Sequence, residues 1–233
     1  MIVAIVPAAG KGTRMKNEGE NKVFIKLKDK PILFYTLKKL DLCALIDEIY
    51  LILDKESIEK KIKEIERFEI KKLKKIVEGG ATRGESVYKG LRSIEKNIDF
   101  VVIHDGARPF VSSNKIAEVI EVAKSFDGAI LGIPLSDTLK EMEDTGFIKN
   151  TAPRERYIRA QTPQVFKYST ILEVYKKLGE TMRFLNTDES YLMEKAGYKI
   201  KVVRGEEKNI KITTPFDLTL AELIIEEERL WSI

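Results

Sequence analysis

Short apolar, β-branched runs alternate along this chain with longer segments whose apolar positions recur every three or four residues. The first pattern is that of buried strands, and the second that of helices with one face in a core. Ile2–Val6, Glu48–Leu53, Lys75–Val77, Phe100–Ile103, Ala129–Ile133 and Lys199–Val203 predict strands. Pro31–Leu42, Ser57–Phe68, Arg83–Glu95, Asn114–Ser125, Ser169–Lys177, Asp188–Ala196 and Pro215–Glu228 predict helices. Two helix starts carry their own signals: Thr82 with Glu85 forms a T-x-x-E box, and Thr214 precedes Pro215 with Asp217 at the third helical position. Such alternation predicts an α/β fold, a mostly parallel twisted sheet flanked by helices. The Lys- and Glu-rich segment 55–75 has one apolar stripe, Ile58, Ile62 and Ile65, and reads as a helix with a solvated charged face.

Residues 135–161 break the alternation. Leu139, Met142, Phe147 and Ile148 surround the turn Asp144-Thr145-Gly146, which predicts a hairpin projecting from the sheet as a β-arm. A two-stranded arm is marginal alone, so the expectation is a homodimer formed through 135–161, on a chain that is one domain over 1–233. With 233 residues and 43% hydrophobic positions the chain has material for one large core. No apolar run approaches the ~20 residues of a membrane span and no signal-peptide pattern opens the chain, so a soluble cytoplasmic protein without a membrane partner is expected. The net charge of +4 is too small to predict a nucleic-acid surface. The single cysteine, Cys43, excludes an internal disulfide.

Chemistry enters at the end of the first strand. Pro7-Ala8-Ala9-Gly10-Lys11-Gly12-Thr13-Arg14-Met15, with Lys22 following, is a loop of small residues and cations. Backbone N–H groups there can approach a polyphosphate while Arg and Lys neutralise it. It is not a Walker A loop, because Ile5 stands where the first glycine belongs and Gly12 follows Lys11; nor is it G-x-G-x-x-G, because Met15 replaces the third glycine. The remaining pattern, A-A-G-x-G-x-R-M-x(6)-K, resembles the signature loop of nucleotidyltransferases that join a sugar or polyol phosphate to a nucleoside monophosphate.

His104-Asp105-Gly106-Ala107-Arg108-Pro109 follows the strand Phe100–Ile103, and ligands in open α/β sheets collect beyond such strand ends. Asp105 there could hold Mg²⁺, accept from a ribose hydroxyl, or simply form the turn. His104, the only histidine, is read as structural. In Glu78-Gly79-Gly80-Ala81-Thr82-Arg83-Gly84-Glu85-Ser86-Val87, a glycine turn opens a helix; backbone groups there could read a base edge and Ser86 could reach a phosphate. Thr138, Arg154, Thr162-Pro163-Gln164, Thr187-Asp188-Glu189 and Asn209-Ile210-Lys211-Ile212-Thr213 are unremarkable singly; their order and spacing are not.

A-A-G-x-G-x-R-M, G-G-x-x-R-x-x-S-V, H-D-x-A-R-P, D-T-x-K, T-P-Q, T-D-E and N-I-K-x-T occur in that order. The chain thereby resembles, over nearly its whole length, the 2-C-methyl-D-erythritol 4-phosphate cytidylyltransferases of the non-mevalonate isoprenoid pathway. The resemblance implies a Rossmann-like nucleotidyltransferase fold, Mg²⁺ as cofactor, and CTP and a polyol phosphate as substrates. It implies that Gly10, Gly12, Arg14, Lys22 and Ser86 hold the CTP phosphates, that Gly80 and Ala81 read cytosine through their backbone, and that Pro7, Ala8, Ala9, Asp105 and Gly106 line the ribose. It further implies that Arg108, Thr138, Arg154, Thr162, Thr187 and Lys211 surround the acceptor, with Arg154 and Thr187 reaching across a dimer interface. Arg14, Lys22 and Lys211 are the expected catalytic cations, and Asp105 the expected metal ligand. Ala81 stands where some members have Asp, and one extra residue separates Met15 from Lys22. Ribitol 5-phosphate cytidylyltransferases share the loop but typically carry Ser-Val where Gly106-Ala107 stand here, which favours methylerythritol phosphate.

Overall fold

The computed structural model describes residues 1–10, 21–177 and 188–230, the side chains of 228–230 excepted. Its centre is β1 (Ile2–Pro7), whose apolar residues alternate between two buried faces. Ile2, Ala4 and Val6 enter a core shared with α1 (Ile32–Leu42), α2 (Lys55–Glu66) and α4 (Ser113–Ala123). Val3 and Ile5 enter the opposite core, closed by α3 (Arg83–Arg92), α5 (Tyr168–Lys177) and α6 (Glu189–Lys195). Burial on both faces is why the strand reads as an unbroken apolar run rather than an alternating one.

The sheet has seven strands in the order β11-β7-β10-β6-β1-β4-β5, adding β4 (Glu48–Leu53), β5 (Leu73–Glu78), β6 (Phe100–Ile103), β7 (Gly128–Pro134), β10 (Ile158–Lys167) and β11 (Ile200–Arg204). All neighbours are parallel except β10, which runs antiparallel to both β6 and β7. Each predicted strand and helix is present, with ends shifted by a few residues. The largest shifts have local causes: α2 starts early because Asp54 Oδ1 accepts from the Ser57 N–H at 2.9 Å, and α3 stops at Arg92, after which Ile94 turns into the core. A third apolar cluster joins α7 (Pro215–Leu230) to Ile212, Phe110 and the small hairpin of β2 (Lys26–Leu27) and β3 (Lys30–Pro31). Among the described residues no helix is long and apolar enough to cross a membrane.

Two features depart from the sequence reading. The hairpin of β8 (Leu139–Met142) and β9 (Ile148–Ala152) forms its own two-stranded sheet, with Met142, Phe147 and Ile148 between 64% and 72% exposed. The arm is shorter than 135–161, however, because residues 158–161 already pair with Leu131–Pro134 in the central sheet. The strand they begin, β10, is absent from the sequence pattern because its buried middle is polar, Gln161, Thr162 and Gln164, and interrupted by Pro163. The register shifts at this point, between Gln161 and Gln164, which accommodates the proline.

Phe166 and Gly128 face each other across β10 and β7, and a Cβ on Gly128 would lie 2.4 Å from the Phe166 ring. Phe166→Ala should cost about 3–5 kcal/mol in urea unfolding, and Gly128→Ala about 1–3 kcal/mol through overpacking. The double variant should lose less than the sum, since the new methyl enters the space the ring vacates; strict additivity would contradict this contact.

Candidate active site

Three loops leave the carboxyl ends of β1, β5 and β6 and stay bonded to their neighbours. The N–H groups of Ala8, Gly79, His104 and Gly106 donate to the carbonyls of Ile52, Leu53, Ile5 and Pro7 at 2.8, 2.8, 3.0 and 3.2 Å. Gly106 is required by this packing, because a Cβ there would meet the Ala8 Cβ at 2.9 Å. Together the loops wall a cavity of about 360 Å³ lined by Pro7, Ala8, Ala9, Gly10, Lys22, Gly80, Ala81, Thr82, Arg83, Ser86, Asp105, Gly106, Lys211 and Thr213. The structure therefore brings together the sequence-predicted residues Pro7, Ala8, Ala9, Gly10, Lys22, Gly80, Ala81, Ser86, Asp105, Gly106 and Lys211. Gly12, Arg14 and Thr187 lie outside the described residues.

Asn21 places Lys22. Its amide donates to the Ala8 carbonyl at 2.5 Å and to Asp54 Oδ2 at 3.0 Å, while its Oδ1 accepts from Val23 N–H at the start of a 3₁₀ turn. The Lys22 ammonium then donates to the Ile212 carbonyl at 2.8 Å, next to Lys211. The segment carrying Lys211 is docked at both ends: Asn209 Nδ2 donates to the Thr162 carbonyl at 2.9 Å, and Ile212 N–H to the Ala107 carbonyl at 2.9 Å. Beyond it, Asp217 Oδ2 accepts from the N–H groups of Thr213 and Thr214, both at 2.8 Å, so the cap read from the sequence also holds a cavity-lining residue.

Asp105 is the electrostatic centre. Its Oδ1 accepts from Arg83 Nε at 3.0 Å, its Oδ2 from the Lys211 ammonium at 2.8 Å, and Arg108 Nε lies 3.7 Å from Oδ2. Burial alone would push this carboxyl up, but Arg83, Lys211 and Arg108 outweigh it and hold Asp105 far below the usual carboxylate range. Arg83 Nη1 also donates to both oxygens of the fully buried Glu189, at 2.7 and 2.9 Å. Burial disfavours the Arg83 charge, yet Glu189 and Asp105 raise its pKa further still. Arg108 is pulled the other way, chiefly by burial and despite Asp105, with Arg83 adding repulsion; its Nε is buried without a hydrogen-bond partner. Lys22, Lys211, Arg83 and Arg108 against Asp105 and Glu189 leave an excess of positive charge, suited to a polyanion.

Several of the predicted residues already hold partners within the protein. Both Asp105 oxygens are engaged by cations, both Glu189 oxygens by Arg83, and no cluster of three metal-ligating side chains occurs among the described residues. Asp105 as arranged therefore does not fit a Mg²⁺ ligand. The Thr162 hydroxyl accepts from the Asp105 N–H at 3.1 Å and faces His104 Nδ1 at 3.0 Å, so it supports Asp105 from beneath instead of standing open to an acceptor. His104 Nε2 completes the chain to the Arg108 carbonyl at 2.9 Å, and burial lowers its pKa to about 4, leaving a neutral structural imidazole. Ser86 Oγ accepts from Gly80 N–H at 3.0 Å and donates to the Thr82 carbonyl at 2.9 Å, closing the glycine turn; Ala81 N–H donates to Glu85 at 2.8 Å. Thr138 and Arg154 are exposed and do not line the cavity; Arg154 donates to the Ser136 carbonyl at 2.7 Å beside the arm. Arg108 reaches the Asn209 carbonyl at 2.8 Å.

Sequence reasoning passed over Arg83 and Glu189. One signal was available: Arg83 is the first residue of α3, where the helix dipole disfavours a cation. A cation kept there implies a specific anionic partner. Glu189 gave no such signal, since an acid in the first turn of a helix is routine.

The family model for 2-C-methyl-D-erythritol 4-phosphate cytidylyltransferase, IspD, matches residues 2–227. A protein of that name from Caldanaerobacter subterraneus subsp. tengcongensis is 42% identical over 226 residues, covering 96% of this chain and 98% of the relative. Another of that name from Clostridium novyi is 44% identical over 225 residues, 96% of each chain. The crystal structure of 4-diphosphocytidyl-2C-methyl-D-erythritol synthase from Anaerococcus prevotii superposes with a TM-score of 0.85 at 32% identity, covering 97% of this chain and 96% of that one. The crystal structure of 2-C-methyl-D-erythritol 4-phosphate cytidylyltransferase from Thermus thermophilus gives 0.76 at 30% identity, over 95% and 97%. In sequence and fold alike, the chain belongs to the 2-C-methyl-D-erythritol 4-phosphate cytidylyltransferase family.

Proposed function

We propose that this protein transfers CMP from CTP to 2-C-methyl-D-erythritol 4-phosphate, giving 4-diphosphocytidyl-2-C-methyl-D-erythritol and pyrophosphate. The observation that carries the reading is the convergence of Lys22, Lys211 and Asp105 on the cavity formed by the Pro7–Gly10 turn, in a chain of this family. The acceptor is a phosphate monoester, already anionic at pH 7, so its oxygen attacks the α-phosphorus of CTP without a general base. As that bond forms, the bond from the α-phosphorus to the bridging oxygen breaks and its electron pair leaves with pyrophosphate. A neutral, fully hydrogen-bonded His104 suits a reaction that asks no base of the protein.

The work left to the site is to bring two polyanions together in line and to neutralise the charge that builds during transfer. Lys22, Lys211 and Arg14 are assigned to that charge. Pro7, Ala8, Ala9, Asp105 and Gly106 flank the ribose, with Gly10 and Gly12 on the phosphates. With the Gly80 N–H taken by Ser86, the base is read by the Gly80 and Ala81 carbonyls, and by the Ala81 N–H once Glu85 turns away. Arg108, whose Nε lies 3.7 Å from Asp105 Oδ2, adds its charge on the acceptor side. Mg²⁺ comes with the triphosphate and offsets part of its charge; the protein's carboxylates are already engaged by its own cations. The homodimer forms through the β8–β9 arm, whose exposed Met142, Phe147 and Ile148 need cover; Thr138, Arg154 and Thr187 act at the acceptor, Arg154 and Thr187 from across the interface. Both substrates are charged metabolites of the cytoplasm, where we locate the reaction.

Pyrophosphate release from CTP and Mg²⁺ should occur with 2-C-methyl-D-erythritol 4-phosphate and stay at background with ribitol 5-phosphate; the reverse preference would move the protein to polyol-polymer metabolism. Lys22→Ala and Lys211→Ala should each lower kcat by about 10²–10³, the scale for losing a stabiliser of transition-state charge, and turnover within a few-fold of the parent would remove both assignments. Light scattering at micromolar concentration should give twice the chain mass. Phe147→Asp should give a monomer, whereas a monomeric parent would remove the arm's role.

A further inference from the structure

Arg83 has the geometry of a device rather than of a surface charge. It opens α3, where a cation is unfavourable, and its guanidinium instead joins two carboxylates from distant parts of the chain. On one side Nε meets Asp105 Oδ1, at the end of β6, at 3.0 Å. On the other Nη1 meets both oxygens of Glu189, at the start of α6. Glu189 is itself fixed: the Tyr175 hydroxyl donates to its Oε1 at 3.0 Å, and its N–H donates to Gln164 Oε1 at 3.1 Å. The consequence falls on Lys211, because Asp105 has two oxygens and Arg83 takes one, leaving Oδ2 to receive the Lys211 ammonium at 2.8 Å.

We propose that Arg83, anchored by Glu189, is a positioning residue of the transfer reaction: it orients the Asp105 carboxylate so that Oδ2 holds Lys211 where the migrating phosphoryl charge develops. The inference rests on the cytidylyltransferase reading above. The route is Glu189 to Arg83 to Asp105 to Lys211, each step a hydrogen-bonded ion pair with at least one partner buried. Lysine in place of Arg83 keeps the charge, but a single ammonium lacks the planar fork that bridges two carboxylates. Asp105 would then turn toward whichever cation remains, and Lys211 would shift with it. Glutamine in place of Glu189 keeps the shape and leaves the whole Arg83 charge on Asp105, which weakens the Asp105 hold on Lys211.

The test is steady-state pyrophosphate release by the full chain with CTP, Mg²⁺ and 2-C-methyl-D-erythritol 4-phosphate. Arg83→Lys and Glu189→Gln are each measured alone and in a Lys211→Ala background, with thermal melts alongside. Each single variant should lose about 10-fold or more in kcat, the scale for a catalytic group displaced by a fraction of an ångström to 1 Å, while KM for CTP changes less than threefold. In the Lys211→Ala background the same substitutions should cost less than threefold, since the group they position is gone. A purely structural role would instead multiply through that background and move both KM values and the melt together; that result, or kcat within threefold of the parent, overturns the proposal. If either single variant does not fold, the charge-balanced Arg83→Gln/Glu189→Gln pair, which leaves no buried charge alone, replaces it under the same criteria. A parent chain silent with these substrates overturns the cytidylyltransferase reading itself and the proposal with it. An active parent with unaffected variants overturns the proposal alone.

Discussion

A carboxylate left with 6% of its surface in contact with water loses several kcal/mol of hydration, and Asp105 recovers it only because three cations converge on it. That requirement organises the carboxyl end of the sheet. Arg83 arrives from the start of α3, Arg108 from the loop after β6, and Lys211 from the segment before α7. The three lie far apart in sequence, and only Arg108 is close to Asp105, so the pairing enforces a convergence that local propensity cannot. Removing Asp105 would leave three partly buried cations repelling one another, which is why the site and the fold around it are not separable.

The antiparallel strand β10 supplies the second constraint. Its polar middle sends one side chain to each neighbouring segment: Gln161 donates to the Glu206 carbonyl at 2.9 Å, Thr162 accepts from Asp105 N–H, and Gln164 accepts from the N–H groups of Glu189 and Ser190. A buried polar strand is costly unless every group finds a partner. Here the partners are the backbones of the loops that carry Lys211, Asp105 and Glu189. The strand thus converts a hydrogen-bonding obligation into the alignment of three loops that would otherwise be set independently.

The sequence was legible where one physical rule acted alone. The apolar runs gave six of the seven central strands, capping chemistry gave the starts of α3 and α7, and the small residues Pro7–Gly10 after β1, with Lys22, gave one wall of the cavity. It was less legible where two rules competed. β10 was hidden because burial selected polar residues for their partners, defeating a search for apolar alternation. The internal partners of Ser86 and Thr162 were equally hidden, because a hydroxyl in a motif does not reveal which loop it bonds: Ser86 closes the glycine turn and Thr162 accepts from Asp105 N–H. Asp105 read as a metal ligand because carboxylates suit metals, while the guanidinium and ammonium that occupy its oxygens come from residues 83 and 211.

The same cation cluster bears on why such a site would accelerate a transfer rather than merely hold two anions. Cations that bound substrate and transition state equally would lower KM without raising kcat. Lys211 is already shared with Asp105, and Lys22 already donates to the Ile212 carbonyl, so neither offers its full charge to an incoming ground-state phosphate. In the proposed transfer, negative charge growing on the α-phosphate and the departing pyrophosphate would shift the balance of that sharing toward the substrate. The protein carboxylate loses less than the phosphoryl oxygens gain, because Arg83 and Arg108 remain beside Asp105 to compensate it. The extra stabilisation therefore appears with the developing charge, which is the property differential binding requires. On the proposed reading the three cations around Asp105 would divide the labour: two would keep the carboxylate charged and in place, and that constancy would let the third respond to the reaction.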